Sequence, residues 1–475
     1  MKTRPAATAP GVLRPIPERQ SLCPVCLKTL PAELVRRKDS VFLLRNCPEH
    51  GEFSGLIWKG EPDFDAWTRP RDTPPRLPAA TTSARGCPND CGPCPEHRQR
   101  ACTVLFEITR RCNLNCPVCF ASSGGARAND PDAEDIGQRL HRIRSLAGEV
   151  VLQFSGGEPT LHPDLPELIR RARALFPAVQ LNTNGVLLGQ DADLARILVD
   201  SGLSWVFLQF DGTQDDIYVK LRGRPLLDVK LEAIRRCREA GLPVVLVPTL
   251  AAGVNDKDLG NLLRLGLALS PTVRGLHLQP MTLSGRNLPG RENPDLYLTL
   301  PETLQAICAQ SEGLVRPEHA FAPCCEHERC SFHFRYRKTP SGRLLPLRGT
   351  EDECCSPRFA PDACCSSAGE GGRAEGGSYA DPAGADGARR AVEAVRRAWE
   401  RGETTGVSDA FDAFIAKARS EIFSITCMAF QDCRNVELER LRGCCVFVYA
   451  HPDRLIPFCA YNMTSLDGTP LHRTA

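Results

Sequence analysis

The chain has almost no net charge, no long hydrophobic run and no apolar segment at its start. Its 59 basic and 57 acidic side chains leave +2, so no global field points toward nucleic acid or an acidic partner. No apolar run reaches the roughly 18 residues of a membrane-spanning helix. Residues 1–10 lack the apolar core of a signal peptide. A soluble, cytoplasmic protein is expected, and peripheral membrane contact is compatible with that expectation. Apolar side chains are also scarce in Ser366–Ala388, which can bury nothing and reads as a disordered insert.

Cysteine is what the chain has in excess, 24 residues among 475. In a reducing compartment such a count points to metal sites, and clustering in C-x2-C and C-x3-C spacings supports metal. The first cluster is Cys23-Pro-Val-Cys26, followed by Cys47-Pro-Glu-His50. This is zinc-ribbon or rubredoxin spacing, and three thiols with one imidazole would complete a tetrahedral zinc or mononuclear iron site. Alternatively His50 is a surface residue and the fourth ligand lies elsewhere. Pro70, Pro74, Pro75 and Pro78 mark residues 61–84 as an irregular linker. Next come Cys87, Cys91 and Cys94, with Cys102 eight residues on. Four thiolates would close a four-iron cluster, which suits electron transfer or structure.

The stretch Val104–Phe120, VLFEITRRCNLNCPVCF, organises the rest. Val104–Ile108 reads as a buried strand leading into Cys112, Cys116 and Cys119. Three thiols on one loop can hold three corners of an iron–sulfur cube and leave one iron open. A zinc knuckle, or thiols in a loop by chance, is the bland alternative. Further strands are expected at Val150–Phe154, Val179–Asn182, Trp205–Phe210, Val244–Val247 and Val273–Leu278. Helical patterns fall between them at Pro163–Leu175, Ala192–Ser201, Val229–Ala240 and Lys257–Leu269. Alternating strands and helices argue for a parallel sheet with right-handed crossovers. The expected fold is α/β, a partial (β/α)6 barrel with function at the C-terminal strand ends.

The cysteine spacing, with Phe120 beside the last thiol and Gly156-Gly157-Glu158-Pro159 after the second strand, resembles the radical SAM superfamily. The resemblance implies a catalytic [4Fe–4S] cluster on Cys112, Cys116 and Cys119 and S-adenosylmethionine on its open iron. It implies that the Gly-Gly-Glu motif holds the amino group of that cofactor, and that a 5′-deoxyadenosyl radical abstracts hydrogen. Thr183, Asn184 and Gln209 can hydrogen-bond a ribose or carboxylate, and Asp211 can accept from hydroxyls. Arg222 can pair with the cofactor's carboxylate, and Gln279 is a further lining candidate. Turns and caps are the competing role for these residues.

After residue 290 the character changes. Thr299–Glu312 reads as an amphipathic helix, and helices are expected at Arg389–Glu400 and Ala410–Phe423. Cys325, Cys330, Cys445 and Cys459 could bind a further four-thiolate cluster, with Cys444 an alternative to Cys445. Such closure resembles auxiliary-cluster extensions after many radical SAM cores. The pairs Cys354-Cys355 and Cys364-Cys365 take no assigned role. The chain thus divides into residues 1–80 (metal domain and linker), 81–103 (auxiliary iron–sulfur segment), 104–290 (barrel) and 291–475 (auxiliary-cluster domain with insert 366–388).

Blocks such as GCPNDCGPCPEHR (Gly86–Arg98), LQFDGT (Leu208–Thr213), VPTLAAGVND (Val247–Asp256) and Met428–Asp432 narrow the resemblance. They are similar to the radical SAM group that includes archaeal tetraether lipid synthase and proteins proposed to methylate a pterin precursor. The vicinal cysteines and Gly-rich insert resemble a bacterial radical SAM (seleno)protein branch. The resemblance implies hydrogen abstraction from an unactivated carbon, with carbon–carbon bond formation on a lipid favoured and methylation of a pterin-like molecule the alternative. It implies one or two auxiliary clusters and a reductant such as ferredoxin or flavodoxin. A non-catalytic iron–sulfur carrier is the reading from another class, but a carrier needs neither an open iron nor the Gly-Gly-Glu turn.

Overall fold

A computed structural model describes residues 19–67, 79–124, 130–290, 293–322, 325–339, 341–347, 392–393, 395–396, 399, 421–450 and 452–473. Ser366–Ala388, the pairs Cys354-Cys355 and Cys364-Cys365, and most of the expected helices Arg389–Glu400 and Ala410–Phe423 lie outside those residues.

Four antiparallel strands open the fold: β1 (Gln20–Leu22), β2 (Thr29–Arg37), β3 (Ser40–Cys47) and β4 (Gly51–Lys59). Their alternation buries Leu30, Ala32, Leu34, Val41 and Leu43 on one face. The Cys23–Cys26 turn lies between β1 and β2, and His50 lies in the turn between β3 and β4.

The parallel series follows as β5 (Thr103–Thr109), β6 (Val151–Gly156), β7 (Ala178–Thr183), β8 (Trp205–Gln209) and β9 (Val244–Val247). A short β10 (Thr249–Leu250) pairs with the end of β11 (Val273–Pro280), which closes the series. Crossover helices α1 (Ala133–Ala147), α2 (Leu165–Leu175), α3 (Val186–Gln190), α4 (Leu194–Asp200), α5 (Asp215–Arg222), α6 (Leu227–Ala240) and α7 (Leu259–Ala268) connect the strands. Six β/α strands thus lie parallel, in the order expected. Buried Val, Leu, Ile and Phe side chains join this sheet to its helices in one core.

Among the described residues, the later ones build no separate sheet. After α8 (Leu300–Gln310), capped by the Thr299/Glu302 box, come β12 (Ser331–Lys338) and β13 (Leu344–Pro346). These are followed by β14 (Ile422–Met428), α9 (Leu438–Arg442), β15 (Val446–Ala450), β16 (Arg454–Pro457) and α10 (Phe458–Tyr461). β14 adds parallel to β11 on one edge and β15 adds parallel to β5 on the other. Antiparallel β12, β13 and β16 complete the edges. The helix expected through Phe423 gives way to strand from Ile422, where Ile-Phe-Ser-Ile-Thr-Cys-Met pairs along its whole length with β12. No helix among the described residues is long and apolar enough to cross a membrane.

Candidate functional site

The loop after β5 carries Cys112, Cys116 and Cys119 and is held from three sides. Gly157 N–H donates to Thr109 O and Glu158 N–H to Arg111 O, each at 2.8 Å. A Cβ on Gly156 would stand 2.2 Å from Thr109 O, and one on Gly157 2.2 Å from Arg111 O. The two glycines are thus required for close approach to the cysteine loop's own backbone, a constraint added to any approach of a ligand. Cys119 and Arg286 exchange backbone hydrogen bonds of 3.0 Å, and Arg286 Nε donates to Cys116 O at 3.0 Å. Phe120 packs on Phe458 of α10, ring centroids 5.5 Å apart. Burial pushes the Cys112 thiol up to about 11 and raises Cys116. Thiols so placed become thiolates when a cation holds them, which fits a metal cluster.

Several of the residues expected at the cofactor also have partners within the protein. Glu158 is fully buried, and its carboxylate accepts from Thr160 N and Oγ1, Thr183 Oγ1 (2.6 Å) and Asn184 N (2.7 Å). It ties the end of β6 to the end of β7. Pro159 starts the short helical turn that follows. Arg222 forks onto Asp211 with two bonds of 2.7 Å and also donates to Val118 O and Thr249 Oγ1. The pair therefore braces the cysteine loop, and Asp211 also accepts from Gln209 and Thr249 N–H. Lys230 was not anticipated. Its buried ammonium donates to Asn184 O (2.7 Å) and Gln209 O (2.6 Å), joining the ends of β7 and β8. Burial pushes it down to about 7, against the attraction of Asp211.

A cavity of about 710 Å³ opens from this loop into the barrel. The three thiols, Phe120, Gly156, Gly157, Thr183, Asn184, Gln209, Arg222 and Gln279 all line it. Its inner wall is a belt of amides: Gln153 on β6, Gln180 and Asn182 on β7, Gln209 on β8 and Gln279 on β11. Gln180 donates to Asn182 Oδ1 at 2.5 Å and accepts from Trp205 Nε1 at 2.8 Å. The signal in the chain was a polar residue alternating with buried apolar ones, as in LQF (Leu152–Phe154, Leu208–Phe210), VQLN (Val179–Asn182) and LHLQ (Leu276–Gln279). Val392, Val395 and Trp399 pack against Trp205 and Phe207 and line the deeper part.

The remaining thiols assemble differently from their spacing. Cys23, Cys26, Cys47 and His50 do come together, their ligand atoms all within 4.8 Å. Burial raises the Cys47 thiol, but hydrogen bonds from His50 and nearby backbone outweigh it and hold Cys47 at about 6. Cys102, however, joins Cys325 and Cys445 within 4.8 Å instead of closing the set with Cys87, Cys91 and Cys94. The cause is sheet pairing: Cys102 N–H donates to Cys445 O at 2.9 Å where β5 meets β15. Cys87, Cys91 and Cys94 remain electrostatic neighbours of one another. Cys330 and Cys459 lie near Cys444, apart from the set expected with Cys325 and Cys445. Cys445 thus falls in the group with Cys102 and Cys325, and Cys444 faces Cys330 and Cys459.

A model of the Radical SAM superfamily matches residues 106–266, and one of the HMPTM N-terminal zinc ribbon domain matches residues 16–59. The 7,8-dihydro-6-hydroxymethylpterin dimethyltransferase of Methanocaldococcus jannaschii is 30% identical over 93% of this chain and 92% of its own. GTP 3′,8-cyclase of Chlorobaculum tepidum is 27% identical over 51% of this chain and 77% of its own. Among solved structures, anSMEcpe with bound AdoMet and Kp18Cys peptide aligns over 44% of this chain and 58% of that one. That alignment has 19% identity and a TM-score of 0.36. A three-thiol loop locked to a Gly-Gly-Glu turn at the mouth of a β/α barrel, with a relative matching almost from end to end, places the chain in the radical SAM superfamily.

Proposed function

We propose that the chain methylates a compact, polar, ring-bearing substrate: one S-adenosylmethionine is cleaved to methionine and 5′-deoxyadenosine as hydrogen is abstracted, a second gives its methyl and leaves as S-adenosylhomocysteine, and the reductant supplies two electrons in all. Cys112, Cys116 and Cys119 would hold the [4Fe–4S] cluster, and Gly156, Gly157, Thr183, Asn184 and Gln209 would position S-adenosylmethionine beside it. When bound, cluster and cofactor supply a radical that abstracts hydrogen, given one electron from a reductant such as ferredoxin or flavodoxin. Cys23, Cys26, Cys47 and His50 fit a zinc ion. The groups Cys102/Cys325/Cys445, Cys87/Cys91/Cys94 and Cys330/Cys444/Cys459 are candidates for auxiliary clusters.

The amide belt carries the substrate reading. Barrel interiors are normally filled with branched apolar side chains, whereas Gln153, Gln180, Asn182, Gln209 and Gln279 line a hollow here. The cavity lies within the roughly 300–1,000 Å³ of pockets for drug-sized ligands and must also take the cofactor. The belt's amides bond to one another and to Trp205, Asp211 and Lys230, and a polar ring can use their remaining donor and acceptor positions whereas an alkyl chain cannot. Lipid joining is therefore the weaker reading, although Phe120, Phe430 and Phe458 make the mouth apolar. A non-catalytic carrier would need no such cavity.

The test is to incubate reduced, reconstituted protein and S-adenosylmethionine with 6-hydroxymethyl-7,8-dihydropterin or with a deuterated isoprenoid lipid. Methylated pterin formed together with 5′-deoxyadenosine supports the proposal. Deuterium passing from the lipid into 5′-deoxyadenosine, with the pterin unchanged, overturns it.

A further inference from the structure

A row of polar side chains runs from the last barrel strand onto the strands that extend it, outside the part matched by the superfamily model. His277 on β11, Thr426 on β14 and His333 on β12 are partners in one cross-strand register row. Residues paired in register project to the same face, and all three line the cavity. His277 Nδ1 lies 2.7 Å from Thr426 Oγ1. His333 Nε2 lies 3.4 Å from Glu326 Oε2, which also accepts from Ser331 Oγ at 3.0 Å. Glu326 lines the cavity too. The Phe207 ring sits 5.2 Å from that of His277, and the Phe321 ring 5.8 Å from that of His333. Both phenylalanines line the same space. His277 precedes Gln279 by two residues on the same strand face, so the row lies about 7 Å deeper than Gln279.

These groups form a recognisable set. A carboxylate offers about four lone-pair sites, so Glu326 can accept an N–H of an amidine-like edge with its protein partners in place, and such charge-assisted bonds are strong and geometrically selective. An imidazole and a hydroxyl beside it can meet a ring nitrogen or a carbonyl. Phenylalanine rings offer apolar faces to a flat heterocycle. Burial pushes His277 down to about 4, so its imidazole is neutral and keeps one donor and one acceptor.

We propose that Glu326, His333, His277 and Thr426 anchor the substrate, taking the donor-rich edge of a flat nitrogen heterocycle such as a 2-amino-4-oxopyrimidine. The opposite edge then faces the thiol loop, and the strands added after the core choose which carbon the radical meets. This rests on the reading of a compact polar substrate. It also gives a physical reason why proteins sharing residues 106–266 can act on different molecules: the anchoring groups lie at positions 277–426.

The experiment titrates two probes, isocytosine and 6-hydroxymethyl-7,8-dihydropterin, into reconstituted full-length protein and reads Kd by calorimetry. Wild type should bind both. Glu326→Gln should raise each Kd about tenfold or more, as expected for losing a charge-assisted pair, and Thr426→Val should raise both several-fold. Iron content and circular dichroism report folding. If Glu326→Gln loses iron through its neighbour Cys325, His333→Gln and Thr426→Val decide. Unchanged Kd in folded variants, or a wild type that binds neither probe, overturns the anchor. If the probes bind and the variants weaken them but only lipid donates label to 5′-deoxyadenosine, the methylation reading fails and the anchor stands.

Discussion

Arg222 and Asp211 show how single residues are committed at the cofactor mouth. Both side chains are nearly sealed from solvent, 7% and 0% exposed, and each is the other's charge partner. Removing one partner strands the other, which typically costs about 3–5 kcal/mol. Arg222→Met should therefore lower unfolding free energy by that amount in denaturant melts and loosen the loop carrying Val118 and Cys119. Arg222→Met melting like wild type would show that the pair is dispensable. His277 gives a pH dependence. Its folded value of about 4 lies below the ordinary 6.5, through burial first, with Glu326 opposing and His333 reinforcing the shift. Between those values the unfolded chain binds a proton that the fold refuses, so stability falls as pH drops from about 6.5 toward 4. Allowing for solvent in the cavity, wild type should lose roughly 1–2 kcal/mol at pH 5 through this group. His277→Gln should remove that part of the slope in urea unfolding at pH 7 and pH 5.

At the scale of elements, the connection between the Gly-Gly-Glu turn and the cysteine loop is the most exacting. Gly157→Ala would put a methyl group 2.2 Å from Arg111 O, and backbone cannot yield as a flexible side chain can. The loop should be displaced, with a fall of about four irons per chain and loss of 5′-deoxyadenosine formation. Full iron content in that variant would show that the loop tolerates the shift. The glycines were legible in the chain, but their partner was not, because Thr109–Arg111 meets them only across paired strands. The six parallel strands were legible for a simpler reason: each is a short apolar run between helical patterns, and local periodicity records it. β14 was not, because Ile422–Met428 becomes a strand through pairing with β11 and β12, both distant in sequence.

For the whole molecule, the distribution of thiols gives the sharpest test. In the folded chain Cys102 belongs with Cys325 and Cys445. If those three share one centre, Cys102→Ala/Cys325→Ala should lose no more iron than either single variant. Cys102→Ala/Cys94→Ala should lose the sum of its two singles, since distant sites add and shared sites do not. The reverse pattern would restore the grouping suggested by spacing. The sequence by itself determined whatever a few consecutive residues can specify: the three-thiol loop, the Gly-Gly-Glu turn, the N-terminal metal quartet and the β/α rhythm. Tertiary structure alone decided which distant thiols meet, that Glu158, Asp211 and Arg222 brace the protein, and that alternate amides of buried strands face a hollow. The physical reason is that local spacing fixes a ligand set only within one loop or hairpin. Contacts between β5 and β15, or along His277, Thr426 and His333, depend on sheet register, and register is set by the packing of the whole fold.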